Sequence, residues 1–319
     1  MKHKKIMIDL AVISLAFLLF IIWHRNFIDN KAQTTFSTIK FYEVYLITTD
    51  KEYQYWEYMN NGAADMAVAT GVNYTWVAPV TRDVNKQIEI IKKAVSDGAD
   101  AILLATDDPM MLSGVIEDAK ASGVKVIYVD SPANEEAIIT LASDNYEAGV
   151  LAGQTLLSLL DSNGITSGSI GIVSYASKVN TQLREKGFRE TLANDSRFTV
   201  LESRNTVTGD PQASQEAAER IIDENKDLVA IFGTNEGSSV GVGNAIKANG
   251  NQYIGIGVDR TDVTMELLSE GSLKAIIEQN PYTMGYLGMA EAVAALLGKD
   301  TGPEYINTGI SVVRDNQGR

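Results

Sequence analysis

The chain is 319 residues long, 45% hydrophobic and 21% charged, with a formal net charge of −14, a globular composition long enough for one large domain or two lobes of ordinary size. The acidic balance offers a phosphate backbone nothing to bind, which excludes nucleic-acid recognition. Cysteine is absent and the 2 histidines, His3 and His24, both lie near the N-terminus, so disulfides, zinc sites and Ser-His-Asp or Cys-His catalysis are excluded from the body, whereas carboxylate catalysis of the glycosidase kind is not.

The opening, "MKHKKIMIDLAVISLAFLLFIIWHRN", joins a basic start to an apolar run over residues 11–23 and a basic exit at His24 and Arg25. That is the pattern of a membrane-targeting segment, and residues 1–31 are assigned to a signal anchor or signal peptide with the start of a polar tether. No small-x-small cleavage motif follows Trp23, which favours a retained anchor with the body outside the cytoplasm. From Phe41 short apolar runs alternate with longer amphipathic ones, which predicts an α/β fold with parallel sheets. Strands are expected at "FYEVYLIT", "NYTWVA", "AILLAT", "VKVIYVD", "AIITLAS", "SIGIVSY", "FTVLES", "LVAIFGT", "QYIGIGVD" and "LKAIIEQ", with helices in most gaps. In "TRDVNKQIEIIKKAVSDGAD", Val84, Ile88, Ile91 and Val95 recur at helical spacing and Gly98 stands where a helix stops. Ten strands exceed what one doubly wound sheet of this size needs, so two Rossmann-like lobes are expected, with a ligand cleft between them.

The residues just past the strands carry the chemistry. They are Asp50, Asp107 and Asp108, Asp130, Asp144 with Asn145, Asn235 with Glu236, Asp259 with Arg260, and Gln279 with Asn280. Any one of them is explained as a helix N-cap. Together they stand where doubly wound sheets bind ligands, and they are groups that exchange hydrogen bonds with neighbouring hydroxyls. "DKEYQYWEYM" adds Tyr53, Tyr55, Trp56 and Tyr58 to the first strand-helix turn, where some must face the core and Tyr55 and Trp56 are candidates to stack on a sugar ring. "GIGVD" fails the dinucleotide fingerprint and "LLGKD" lacks the upstream glycine of a P-loop, so no cofactor is expected.

Six ordered stretches, "VIYVDSP", "ASDNYEAGVLAGQTL", "VNTQLREKGFRETL", "AIFGTNEGSSVGVGNAI", "IGIGVDRTD" and "AIIEQNPYTMGYLG", carry a resemblance to the type I periplasmic binding proteins of the ribose and galactose group. It spans residues 41–313. The resemblance implies two Rossmann-like lobes joined by three crossovers, residues 41–143 plus 280–307 forming one and 144–279 plus 308–319 the other. It implies ligand contacts at Asp130, Asn235, Asp259 and Gln279, with Asn180, Gln182 and Arg184 near the sugar and Tyr55 and Trp56 stacking on it. Hinges are implied near Ser143-Asp144, Gln279-Asn280 and Asn307-Thr308. Ser131 stands where pentose binders of the group often carry arginine, which counts against ribose itself. The expected function is capture of a monosaccharide or small carbohydrate, without chemistry, for an ABC transporter. A retained anchor would also suit a sensor subunit working with a two-component histidine kinase. An alternative of another class is a glycoside hydrolase with Asp130 and Asp259 as its carboxyl pair.

Overall fold

Two parallel sheets organise the chain, and each follows from runs apolar enough to be buried on both faces. The structure, a computed structural model, describes residues 41–315; the leader expected over residues 1–31 lies outside them. Among the described residues no helix is long and apolar enough to cross a membrane.

The first sheet takes β1 (Glu43–Ile47), β2 (Asn73–Val77), β3 (Ala101–Leu104), β4 (Lys125–Val129), β5 (Thr140–Ala142) and, from far along the chain, β12 (Tyr305–Asn307). Its order is β12-β5-β4-β3-β1-β2, parallel throughout. The second sheet takes β6 (Gly168–Ser174), β7 (Phe198–Val200), β8 (Arg204–Asn205), β9 (Leu228–Gly233), β10 (Ile254–Val258), β11 (Ala275–Gln279) and β13 (Ile310–Val313). It runs β13-β11-β10-β9-β6-β7, with β8 beside β6 and β13 antiparallel to β11. Setting aside the returning strands, both sheets have the doubly wound order 2-1-3-4-5. The two lobes therefore repeat one plan.

Side-chain alternation sends each strand into two cores. In β3, Ala101 and Leu103 face the cluster beneath α1 (Gln54–Thr70) and α9 (Pro281–Leu296), while Ile102 and Leu104 face that beneath α2 (Val84–Ser96) and α3 (Pro109–Ala121). The second sheet is flanked likewise by α4 (Asn145–Ser162) and α5 (Val179–Leu192) on one face, and by α6 (Pro211–Glu224), α7 (Glu236–Ala248) and α8 (Asp262–Ser269) on the other. Helix α4 meets α5 backbone to backbone: a Cβ at Gly149 would strike the carbonyl oxygen of Arg184, and one at Gly187 that of Tyr146. This contact fixes the height of α5 over the sheet, and α5 carries three of the expected site residues.

Helix α2 begins at Val84, capped by Asp83, whose carboxylate accepts the Lys86 N–H at 3.0 Å, and Gly98 follows it with φ 90°. Ile91 is buried and Val84, Ile88 and Val95 pack partly against the core, but the most enclosed polar residue of that face is Gln87. Its amide donates to the Thr48 and Ala105 carbonyls and accepts the Asp107 N–H, tying together the ends of β1 and β3. Three strands were not among those expected. β8 is 2 residues long and exposed, β12 is 3 residues, and β13 is 4 residues on a sheet edge. Segments so short carry too few side chains to show a period of two.

The chain crosses between the sheets three times, after β5, after β11 and between β12 and β13. The three passages lie side by side. The Asn280 amide donates to the Thr308 carbonyl at 2.8 Å, and the Thr308 N–H to the Ala142 carbonyl at 3.0 Å.

Candidate functional site

The carboxyl ends of both sheets face one cavity of about 290 Å³, the place where doubly wound folds hold ligands. Two strands end on an aspartate in the left-handed backbone region: Asp130 after β4 (φ 64°) and Asp259 after β10 (φ 72°). With the two-residue β8 left out, these are the fourth strands of their respective lobes. A residue with a Cβ pays about 1–2 kcal/mol for this conformation, and aspartate is among the side chains that tolerate it best. Each backbone is held by one further ladder bond, Asp130 N–H to the Leu141 carbonyl at 2.8 Å and Asp259 N–H to the Ile277 carbonyl at 3.0 Å. Both carboxylates line the cavity, and both residues are nearly inaccessible, 7% and 6% exposed. Buried charges need partners.

Asp130 has three. The Tyr55 hydroxyl donates to its Oδ1 at 2.7 Å, the Ser131 hydroxyl donates to its Oδ2, and the Asn180 amide reaches the same oxygen from the other lobe at 3.3 Å. Asp259 accepts the Gln279 amide on Oδ1 at 2.7 Å. Burial pushes the Asp259 carboxyl above its ordinary pKa, against the pull of the nearby Arg184 guanidinium and the Gln279 bond. The Gln279 Oε1 is buried and makes no hydrogen bond.

Arg184 is anchored by donating to Asn145 Oδ1 at 2.9 Å and to the Thr234 carbonyl at 3.0 Å. Asn235 occupies the N-cap position of α7 without making a side-chain cap bond. Its amide donates to the Gly209 carbonyl at 3.2 Å and its Oδ1 accepts the hydroxyl of Ser238 in the first turn of the helix, and the residue also lines the cavity. Asp144 does the opposite: it caps α4 by accepting the Glu147 N–H at 2.9 Å. Tyr55 and Trp56 meet edge to face at 4.9 Å between centroids and belong to the first-lobe core while also lining the cavity. The indole N–H of Trp56 donates to Asp50 at 3.1 Å.

Of the nine ligand positions expected, Tyr55, Trp56, Asp130, Asn180, Arg184, Asn235, Asp259 and Gln279 come together around this space. Gln182 does not. It lies on the exposed side of α5, its amide donating to the Ala176 carbonyl at 2.5 Å; residues 180, 181 and 184 take the cavity side of the helix, and the 100° turn per residue carries 182 away from it.

Arg82 and Lys178 were not among the residues expected at the site, whereas Asp107 and Glu236 stood in the strand-end set but not among the nine ligand positions. Arg82, past β2, donates to Asp50 at 3.1 Å and lies over the rings of Tyr53, in its own lobe, and Tyr175, in the other. Lys178 pairs with Asp107 across the lobes. Glu236, at the first turn of α7, accepts the N–H of Tyr55 from the opposite lobe at 3.4 Å. Burial, and then the charge of Asp259, push its carboxyl up to about 8. A polar residue just past a strand was the available signal for Glu236 and Asp107; for Arg82 and Lys178 the partner lies in another lobe or another loop. Among the described residues no group of three or more acidic, histidine or cysteine side chains is placed to hold a metal ion.

A two-lobed α/β protein with an interlobe cavity lined by hydrogen-bonding groups from both lobes has the layout of a small-molecule binding protein. The sequence match agrees: residues 44–300 match the family described as periplasmic binding protein domain, and the chain belongs to that family. The D-apiose import binding protein of Actinobacillus succinogenes is 25% identical over 263 residues, which is 81% of this chain and 83% of that protein. A sugar ABC transporter sugar-binding protein from Bacillus halodurans is 26% identical with a TM-score of 0.79, over 86% of this chain and 98% of the other. A carbohydrate transporter solute-binding protein from Agrobacterium radiobacter, solved with D-arabinose, is 25% identical with a TM-score of 0.82, covering 88% and 96%. Membership of a binding-protein family that acts outside the cytoplasm and performs no chemistry sets the hydrolase alternative aside.

Proposed function

We propose that the protein captures a monosaccharide between its lobes and presents it to an ABC permease. The observation that carries this is the matched pair of aspartates: Asp130 from one lobe and Asp259 from the other reach a single cavity from equivalent strand ends. Since an engineered cavity of about 150 Å³ holds one benzene, with its six heavy atoms, the space here suits about twelve, the count of a hexose. Asp130, Asp259, Asn235 and Gln279 take the hydroxyls, Arg184 and Asn180 add donors, and Tyr55 and Trp56 supply the aromatic wall. The relatives support a monosaccharide, through the pentoses D-arabinose and D-apiose in their descriptions.

In this reading the first lobe comprises residues 41–143 plus 280–307 and the second 144–279 plus 308–319. The hinge runs through Ser143-Asp144, Gln279-Asn280 and Asn307-Thr308. The adjacency of the three passages, tied together by the bonds from Asn280 to the Thr308 carbonyl and from Thr308 to the Ala142 carbonyl, supports that placement. The leader, lacking a small-x-small site after Trp23, is read as a retained anchor; the tethered receptor then serves a permease or a sensor kinase on the same membrane. An intact mass of the native protein tests the anchor.

The binding reading is tested by a thermal-shift panel of pentoses and hexoses on the full-length chain. A ligand at a hundred times its Kd stabilises by about 2.7 kcal/mol, a rise of about 4 °C for a protein of this size. A panel in which no monosaccharide moves the midpoint refutes it.

A further inference from the structure

A second cavity, of about 300 Å³, adjoins the first at Tyr55, Asp259 and Gln279, which line both spaces. It too is built from both lobes. Tyr58 of α1 and Tyr282 of α9 come from the first, and Arg260, Asp262 and Glu278 from the second. None of these five lines the first cavity.

Its chemistry is that of a site for a hydroxylated ring. Tyr282 is 44% exposed and its hydroxyl donates to Asp65 at 2.8 Å, which holds the ring in place. Its other neighbour, Tyr286, stacks with it at 6.0 Å and 19° between planes, so a rigid aromatic surface borders the opening. Aromatic faces of this kind pack on the C–H faces of saccharides. The lining carries three carboxyl groups, Asp259, Asp262 and Glu278, against the single cation Arg260. Arg260 pairs with Glu278 at 3.3 Å, and Asp262 is engaged across the lobes by Gln54, whose amide donates to its carboxylate at 3.0 Å and whose carbonyl accepts its N–H at 2.7 Å. With no unpaired cation among these residues, an anionic ligand has nothing to neutralise it.

We infer that the second cavity binds a neutral, polyhydroxylated ring of monosaccharide size, held by Tyr58, Tyr282 and the Arg260–Glu278 pair. This rests on the sugar-binding reading of the first cavity and extends it. The ring has two possible sources: the further sugar of a disaccharide whose first ring fills the first cavity, or a second free monosaccharide. Because the cavity is made by both lobes, its occupant favours the closed arrangement, and the two rings assist each other by linkage.

The test is isothermal titration of the full-length chain with the monosaccharide that gives the largest thermal shift, and with disaccharides carrying that sugar at the non-reducing end, each repeated on Tyr282→Ala. Tyr282 is chosen because it lies outside the first cavity. The linked-ring source predicts that a disaccharide binds and loses about tenfold in affinity in Tyr282→Ala, while the monosaccharide changes less than about twofold. The free-ring source predicts two monosaccharides per chain at saturation, reduced to one in Tyr282→Ala. A stoichiometry of one with all disaccharides excluded overturns the inference and leaves the sugar-binding reading intact, as does disaccharide binding indifferent to Tyr282→Ala. A chain that binds no sugar overturns both.

Discussion

Replacing Glu236 with glutamine is expected to remove about one proton from the pH dependence of ligand affinity. The carboxyl stands at about 8 in the closed cleft against an ordinary 4.5; burial is the main cause, the charges of Asp259 and Asp50 add to it, and N–H groups of Tyr55 and Gln54 oppose it. Arg82, Arg184 and Lys178 line the same cavity. When the lobes part, water reaches the carboxyl and its pKa falls back towards 4.5. Between those limits the open form carries the charge and the closed form carries the proton, so closing takes up a proton. The contribution to closure is complete below 4.5, declines about tenfold per pH unit as pH rises, and is gone above about 8. Asp259, also raised by burial, acts in the same sense. Titration calorimetry between about pH 5.5 and 7.5 should therefore give a slope of log affinity against pH that is shallower by about one in Glu236→Gln than in the natural chain. Glutamine keeps an oxygen for the Tyr55 N–H, so the fold is not at issue. Equal slopes in the two proteins would show that Glu236 does not change its protonation on closure, and the linkage would be wrong.

Three further outcomes are expected. Asp259→Ala removes a ligand carboxylate, and with hydrogen bonds to charged groups contributing about 1.5–3 kcal/mol each, two lost bonds weaken binding by about 10²–10⁴-fold; calorimetric affinity within tenfold of the natural value would remove Asp259 from the site. Lys178→Met deletes the partly shielded pair with Asp107 across the lobes, and stopped-flow release should become severalfold faster, with the difference shrinking at high salt; equal release rates at low salt would contradict a latch. Gly149→Ala forces a methyl against the Arg184 carbonyl, costing about 1–3 kcal/mol and several degrees of Tm while displacing α5; an unchanged melting point would mean the helices separate without cost.

The parts of the site legible in the sequence were those fixed by one strand and its own end. "YIGIGVD" has no polar face, so β10 had to be buried on both sides and Asp259 had to emerge at its end; "VIYVD" gives Asp130 by the same reasoning. Residues on a helix were legible only to within a turn, which is why Gln182 was grouped with Arg184 although 100° per residue separates their directions. Gln87 escaped because amphipathic spacing marks the apolar members of a face, and a glutamine among Val84, Ile88 and Ile91 reads as solvent-facing until the strand carbonyls it satisfies are known. Lys178 and Arg82 depend on partners in the other lobe or a distant loop, and no local pattern encodes that distance. The short strands β12 and β13 are strands because neighbours hold them there, their own residues being too few to show it.

The first sheet has a property with a bearing on how the chain is made. Its edge strand β12 and the helix α9 that covers one of its faces come from residues 281–307, after the whole second sheet except β13. Until those residues emerge during synthesis, Met59, Leu103 and Val129 lack the cover that Met284, Met289 and Ala292 provide. The N-terminal half thus cannot mature on its own as it is translated. A polypeptide whose first half stays loose until its last stretch is released is well disposed to be threaded across a membrane before it folds.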